Sequence, residues 1–167
     1  MRILIISLPR TGSNSLMKQY SDKHKLDMYG EPFNEQHILP NNWMTSDNII
    51  VTTKLTQYPN DVVNSIEYWY EQSKSFDKVI LLSRKDLYDC AKSFSYLLDK
   101  RNLGFDYNTP YTWEETPSLD SIHIHLQSQH KKLESISDKL NIPIKYYEDI
   151  FDVNSKDRLR KNNKEIL

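Results

Sequence analysis

Two patterns of apolar and polar positions alternate along most of the chain. Short apolar runs, rich in isoleucine, leucine and valine and bounded by polar or turn-forming residues, predict strands that are buried on both faces. Four such runs stand out: Arg2–Ser7, Ile49–Leu55, Val79–Ser83 and the short Ile144–Tyr147. The first three are expected to be the central strands of a sheet.

The stretches between these runs carry apolar residues at the three- and four-residue spacing of one helix face. They predict helices over Ser13–His24, Asn60–Ser73, Lys85–Lys100 and Ser118–Leu140, the last of them long and polar enough to be broken. Ser13 stands where its side chain can cap the first helix. Strands that alternate with helices predict an α/β protein, in which a parallel sheet is flanked by helices on both faces. No repeat or linker divides the sequence, so residues 1–167 are expected to form one domain.

Two long stretches fit neither pattern, one from Glu31 to about Asp47 and one from Asn102 to Pro117. Irregular connections of this length in a compact domain are usually functional or disordered, and the aromatic residues here favour an ordered segment. The second stretch contains four such residues: Phe105, Tyr107, Tyr111 and Trp113. Their faces suit a sugar ring or an apolar ring, and they suit packing in the core at least as well.

Charge and composition exclude several classes of function. The formal net charge is −1, so no general electrostatic field would attract nucleic acid or an acidic membrane, and any anion site must be local. No stretch approaches the ~20 apolar residues of a spanning helix, and the first eight residues are too short for a signal peptide. We therefore expect a soluble, cytoplasmic protein without a nucleic-acid partner or membrane insertion. The single cysteine, Cys90, cannot form an internal disulfide and is interpreted as a packing residue.

The loop between the first predicted strand and the first predicted helix is a candidate anion site. Its sequence, Pro9 to Ser15, exposes backbone N–H groups at the positive end of a helix dipole. Arg10 adds a fixed positive charge, and Gly12 lets a phosphate approach the backbone closely. The other residues of the loop supply amide or hydroxyl donors: Thr11, Ser13, Asn14 and Ser15. An ordinary turn with a capping serine is the alternative interpretation of this loop alone.

A Walker A loop does not fit this segment. That motif requires a leading glycine and a lysine directly before the final Ser or Thr. Here Ser7 and Leu8 stand at the leading position, and Asn14 stands where the lysine would be. A nucleotide kinase without that lysine would lack its main contact with the transferring phosphates.

A second motif strengthens the anion hypothesis. The strand ending at Ser83 is followed by Arg84, and Ser93 lies a little more than two helical turns further on. This pattern and the Pro9–Ser13 loop together resemble the sulfotransferase superfamily, most closely its bacterial trehalose, nodulation-factor and carbohydrate branch. The resemblance implies a P-loop NTPase-like architecture. It further implies 3′-phosphoadenosine 5′-phosphosulfate as donor, with its 5′ end on the first loop and its 3′-phosphate on Arg84 and Ser93.

Two weaker matches and two departures accompany this resemblance. The Tyr29–Phe33 and Tyr147–Ile150 segments resemble a glutamate-proline segment and a Tyr-Glu-Asp-Leu segment of the family. Thr56 stands where the cytosolic branch has the histidine of its Lys-x-His segment, two residues after Lys54. The family's C-terminal donor loop is not recognisable, and the only charges that could replace it belong to Arg158, Arg160 and Lys161.

The resemblance implies direct transfer of a sulfuryl group to an acceptor hydroxyl, on a small molecule or on a glycan such as a carbohydrate or glycolipid. The family branch and the missing histidine make Glu31 the candidate base. Arg10 would meet charge on the sulfuryl and bridging oxygens, with Lys54 as possible help. Adenosine 3′,5′-bisphosphate would be the second product, and the reaction would need no metal.

Three histidines on the last long helix do not make a convincing metal site. His123 and His125 face different sides of a helix, and His123 and His130 lie ~10 Å apart along its axis. Two other functions stay open at this point. One is a P-loop nucleotide kinase that binds ATP with magnesium, and the other is a non-catalytic nucleotide-binding relative.

Overall fold

A computed structural model describes residues 1–30, 43–55, 65–102 and 117–151, with the side chains of 100–102 excepted. Within these ranges five parallel strands form one sheet in the order β2-β3-β1-β4-β5. The strands are β1 (Arg2–Ser7), β2 (Asp27–Gly30), β3 (Ile49–Lys54), β4 (Lys78–Ser83) and β5 (Ile144–Tyr146). The described helices are α1 (Ser13–His24), α2 (Ile66–Ser73), α3 (Leu87–Asn102), α4 (Leu119–Leu140) and α5 (Tyr147–Ile150).

Alternating side chains of β1 enter two different cores, which explains its central position. Ile3 and Ile5 are fully buried on the α1 face of the sheet, in the same cluster as Leu16. Leu4 and Ile6 are fully buried on the opposite face, in a cluster that includes residues of α2 and α4. A strand with two buried faces must lie inside a parallel sheet that is covered on both sides. The α/β architecture with helices on both faces is thus confirmed.

A third apolar cluster joins α3 to α4. Its members are Cys90, Ala91, Phe94 and Leu98 from α3 with Ile122 and Leu126 from α4. This contact fixes α3, which follows β4, against the long α4. None of the described helices combines the length and the apolar character needed to cross a membrane.

The predicted elements agree with the observed ones except at several boundaries. The three expected central strands occupy the centre of the sheet, and the first helix spans Ser13–His24 as expected. α4 is one unbroken helix of 22 residues, capped by the hydroxyl of Ser118. Tyr147 begins α5 and does not end β5. The strand β2 was not anticipated, because only Tyr29 of its four residues is partly buried and the other three are exposed.

One helix cap and two helix starts differ from the prediction for physical reasons. α2 begins at Ile66, because the hydroxyl of Ser65 caps it by accepting a hydrogen bond from the Tyr68 N–H, and the predicted start at Asn60 lies outside the described residues. Ser13 is the first residue of α1 and not its cap, since Gly12 takes the N-cap position with a left-handed φ of 75° and no side-chain cap bond forms. α3 begins at Leu87, two residues later than expected. The carboxylate of Asp86 accepts a hydrogen bond from the Asp89 N–H over 2.8 Å, which is the usual work of a capping side chain.

Candidate functional site

Two hydrogen bonds tie the end of β1 to its neighbouring strands at the carboxyl edge of the sheet. The Leu8 N–H donates to the Leu82 carbonyl over 3.2 Å, and the Ser7 hydroxyl donates to the Thr53 carbonyl over 3.1 Å. The loop that follows therefore leaves the sheet from its middle. In open parallel sheets this edge is where ligands bind.

The loop itself is a closed turn with two left-handed residues. Arg10 has a φ of 60° and Gly12 a φ of 75°. Between them, Thr11 is fully buried, and its hydroxyl donates to the Leu8 carbonyl over 2.7 Å. Because that hydroxyl closes the turn, Thr11 would meet a ligand through its backbone N–H.

Gly12 is required by packing as well as by its dihedral angles. A Cβ atom built on Gly12 would lie 2.9 Å from Phe151 Cε2 and 2.9 Å from Tyr147 Cδ2. Gly12 was expected to make room for a phosphate, but the space on the side where a Cβ atom would lie is not available to one. The rings of Tyr147 and Phe151 fill the space next to its Cα.

The first turn of α1 keeps the character of an anion site. No acidic residue lies in that turn, and no side chain caps its N–H groups. Ser13 is buried, whereas Asn14 and Ser15 are exposed. Unsatisfied N–H groups and the helix dipole give this end a partial positive charge.

Arg10 meets the helix that follows β4. Its Nε atom donates a hydrogen bond to the Ser93 hydroxyl over 3.0 Å, and both residues are partly buried. The two sequence motifs are thereby brought together. Ser93 was expected to bind the 3′-phosphate of the donor together with Arg84, which stays a prediction, and its contact with Arg10 was not anticipated.

Arg84 is held by the segment that follows β5. Its Nε atom lies 3.2 Å from Glu148 Oε1, with side chains that are only 16% and 20% exposed. The other oxygen of Glu148 accepts the Lys85 N–H over 2.9 Å. The guanidinium carbon of Arg84 lies 4.9 Å from the centre of the Tyr147 ring. Sequence reasoning noticed the Tyr147–Ile150 segment by its resemblance but assigned Glu148 no role.

The thiol of Cys90 lies within the electrostatic influence of both Arg84 and Arg10. Its thiol is fully buried and donates to the Pro9 carbonyl over 3.0 Å. Burial raises the pKa of Cys90 to about 12, while the positive charges of Arg84 and Arg10 oppose that rise. The interpretation of Cys90 as a packing residue agrees with its place in the α3–α4 cluster.

The remaining predicted residues divide between this edge and the segments outside the described ranges. Lys54 is the last residue of β3, partly buried at the same edge as Ser7, its register partner. Glu31, the candidate base, lies outside the described residues, as does Thr56. The same holds for the predicted acceptor aromatics and C-terminal charges: Phe105, Tyr107, Tyr111, Trp113, Arg158, Arg160 and Lys161.

Another polar cluster, which the sequence did not reveal, lies at the end of β4. Ser83 Oγ and His130 Nδ1 are 2.9 Å apart, and His130 Nε2 lies 3.6 Å from Glu134 Oε1. The order of these groups resembles a nucleophile, base and acid, but Ser83 is fully buried and cannot meet a substrate. Among the described residues, no group of three or more His, Cys, Asp or Glu could hold a metal ion.

Comparisons with known proteins add little to this geometry. No family model matches the chain, and no curated protein matches it. Among solved structures, it is similar to the YorR protein of Bacillus subtilis, crystallised in complex with phosphorylated GDP. The sequences are 10% identical, the TM-score is 0.48, and the match covers 87% of this chain and 84% of YorR. A likeness this distant carries no argument about function, which must be drawn from the site itself.

Proposed function

We propose that the protein is a sulfotransferase, which moves a sulfuryl group from 3′-phosphoadenosine 5′-phosphosulfate to a hydroxyl of a small-molecule or glycan acceptor. The observation that carries this proposal is the 3.0 Å hydrogen bond from Arg10 to Ser93. It joins two separate candidate anion sites at one edge of the sheet. A donor whose ribose carries phosphate groups at both the 3′ and the 5′ position suits two anion sites better than ATP, whose phosphates form a single chain.

The proposed donor pose follows from the positions of the positive groups. The 5′-phosphosulfate would lie on the N–H groups of Thr11 to Ser15, beside Arg10. The 3′-phosphate would lie near Arg84 and Ser93. The charges of both arginines oppose the rise that burial causes in the pKa of the Cys90 thiol, which supports a common site for the two.

The proposed reaction is a direct displacement at sulfur. A bond forms between the acceptor oxygen and sulfur, while the bond from sulfur to the bridging phosphate oxygen breaks. The electron pair of the broken bond leaves with adenosine 3′,5′-bisphosphate, and the hydroxyl proton passes to Glu31. Arg10 and Lys54 stabilise the charge that develops on the sulfuryl and bridging oxygens. This sequence of bonds requires neither a metal nor a covalent enzyme intermediate.

Two observations favour a second candidate, a nucleotide-binding relative that transfers nothing. The carboxylate of Glu148 offsets the charge of Arg84, and α5 covers one side of Gly12. Both features reduce the positive, open surface that a highly charged donor needs. This candidate predicts binding of the nucleotide without turnover, and the kinase alternative predicts binding of ATP with magnesium.

The deciding experiment is thermal unfolding of the protein with adenosine 3′,5′-bisphosphate, compared with ATP plus magnesium. A ligand at about 100 times its Kd stabilises the folded state by about 2.7 kcal/mol, which raises Tm by several degrees. Stabilisation by the bisphosphate alone supports the proposal, and stabilisation by ATP with magnesium alone rejects it.

Transfer is then measured with radiolabelled donor and a panel of sugar, glycolipid and phenolic hydroxyl acceptors. Labelled product with any acceptor establishes a sulfotransferase. Binding of the bisphosphate with no transfer to any acceptor favours the non-catalytic candidate.

A further inference from the structure

Glu148 contacts two groups of the candidate site, the side chain of Arg84 and the backbone of Lys85, which lie 64 and 63 residues away in sequence. Its Oε1 atom accepts from Arg84 Nε over 3.2 Å, and its Oε2 atom accepts from the Lys85 N–H over 2.9 Å. One carboxylate therefore holds both the side chain of Arg84 and the backbone of the turn between β4 and α3. Hydrogen bonds to a charged group are stronger than those between neutral groups.

The segment that carries Glu148 is firmly anchored in the core. Tyr147, Ile150 and Phe151 are all less than a tenth exposed and belong to the cluster under α1. The Phe151 N–H donates back to the Tyr147 carbonyl over 2.9 Å, which closes the short helix α5. Glu148 is thus attached to a part of the protein that cannot move without opening the core.

Arg84 keeps most of its donors for another partner. A guanidinium carries five N–H groups, and the Nε–H of Arg84 is the one directed at Glu148. Among the described residues, neither Nη atom of Arg84 has a hydrogen-bond partner. The Tyr147 ring, 4.9 Å from the guanidinium carbon, limits the orientations that the group can take. Two Nη atoms in a fixed plane match the spacing of two phosphate oxygens.

We propose that Glu148 is a positioning residue, which holds the Arg84 guanidinium so that its Nη atoms bind the 3′-phosphate of the donor. This inference rests on the proposed function. Glu148 itself touches no part of the ligand. It lowers the entropy that Arg84 would lose on binding, because the side chain is ordered before the phosphate arrives.

A competing role for Glu148 would give the opposite result. If its carboxylate occupied the place of the phosphate, removing the negative charge would strengthen phosphate binding. Anchoring by Tyr147, Ile150 and Phe151 argues against such a movable group. The bond to the Lys85 N–H argues the same way, since a departing carboxylate would leave that donor without its partner.

The test is calorimetric titration of Glu148→Gln with adenosine 3′,5′-bisphosphate and with adenosine 5′-monophosphate, which lacks the 3′-phosphate. We expect about tenfold weaker binding of the bisphosphate and a change below about twofold for the monophosphate. In an Arg84→Ala background, Glu148→Gln should cause no further loss, because Glu148 acts through Arg84. Asp149→Asn is the matched control, since Asp149 lies next to Glu148, pairs with Lys85 at the surface and should not matter.

Each other outcome has a definite meaning. Unchanged or tighter binding of the bisphosphate by Glu148→Gln overturns the positioning role, as does equal weakening of both ligands. Glu148→Asp keeps the charge on a shorter side chain, and an intermediate loss is expected if Glu148→Gln does not fold. A wild-type protein that binds neither nucleotide removes the proposed function and this inference together, whereas failure of the variant alone removes only the inference.

Discussion

Arg10 and Ser93 are 83 residues apart in sequence, yet the Nε atom of Arg10 donates a hydrogen bond to the Ser93 hydroxyl over 3.0 Å. This contact connects the turn after β1 to the second turn of α3. The backbone of Arg10 is left-handed, with a φ of 60°. Arg10 is the arginine expected to contact the sulfuryl group. Its side chain is therefore held by Ser93, a residue of the second motif.

Replacing Arg10 by alanine should weaken the sulfated donor and slow the transfer step. Arg10 is expected to meet charge in both the ground state and the transition state, so both constants should change. The loss in donor affinity should be about ten- to a hundredfold, the worth of a charge-assisted hydrogen bond. Donor titration and single-turnover transfer measure the two effects. Lys18→Ala removes the same charge from an exposed position of α1 and should leave both constants unchanged.

Replacing Arg84 by alanine should affect the two nucleotides differently. Adenosine 3′,5′-bisphosphate should bind about ten- to a hundredfold more weakly, because a charge-assisted contact to the 3′-phosphate is lost. Adenosine 5′-monophosphate should bind almost as before. Calorimetry of both ligands gives the comparison, and an equal loss for both would reject the assignment of Arg84 to the 3′-phosphate.

Glu31→Gln separates catalysis from binding. Glutamine keeps nearly the shape of glutamate but cannot accept the proton, so the transfer rate should fall by about 10²–10⁴-fold. Donor affinity should stay the same, because Glu31 is assigned to the acceptor side. Single-turnover transfer with an identified acceptor measures the rate. If the variant keeps full turnover, His37, from the same connection, becomes the next candidate base.

Gly12→Ala should destabilise the fold through both strain and overlap. The φ of 75° is unfavourable for alanine, and the new Cβ atom would lie 2.9 Å from ring atoms of Phe151 and Tyr147. We expect a loss of about 2 kcal/mol or more in the free energy of unfolding, measured by urea denaturation. Gly30→Ala is the control, because its Cβ would have nothing within 4 Å and its effect should stay within about 0.5 kcal/mol.

Cys90 should be unreactive in the folded protein. Since burial raises its pKa from 9.0 to about 12, almost no thiolate exists at pH 8, and an alkylating reagent should react only with unfolded molecules. Between pH 9 and 12 the unfolded thiol loses its proton while the folded one keeps it. The contribution of Cys90 to stability should therefore decrease as pH rises through this window. Mass spectrometry after iodoacetamide treatment, with and without denaturant, tests the reactivity, and rapid native alkylation would contradict the assigned burial.

The sequence predicted those parts of the fold that burial on two faces dictates. The strands that carry Ile5 and Leu81 are covered on both faces of the sheet, so they read as apolar runs whatever their partners are. β2 lies at the edge of the sheet, opposite β3 alone, and its side chains are largely exposed. A strand of that kind carries no apolar run, and only its pairing with β3 defines it.

The candidate site was predictable only as far as single residues can be recognised by type and order. Arg10 and Arg84 were found because each follows a predicted strand. Their true side-chain partners, Ser93 for Arg10 and Glu148 for Arg84, depend on how α3 and α5 pack, which no local pattern encodes. The need for glycine at position 12 likewise comes from two aromatic rings more than 130 residues away in the chain, Tyr147 and Phe151.

The central position of β1 also determines when the candidate site can form during synthesis. β1 leaves the ribosome first, but its neighbours β3 and β4 follow much later, with Ile49 opposite Arg2 and Lys78 opposite Ile3. The turn after β1 gains its Leu82 carbonyl only with β4 and its aromatic cover only with Phe151. The turn that follows the first of the described strands is consequently among the last parts of the site to be completed. Nascent chains that stop short of residue 151 should therefore be unable to retain a nucleotide.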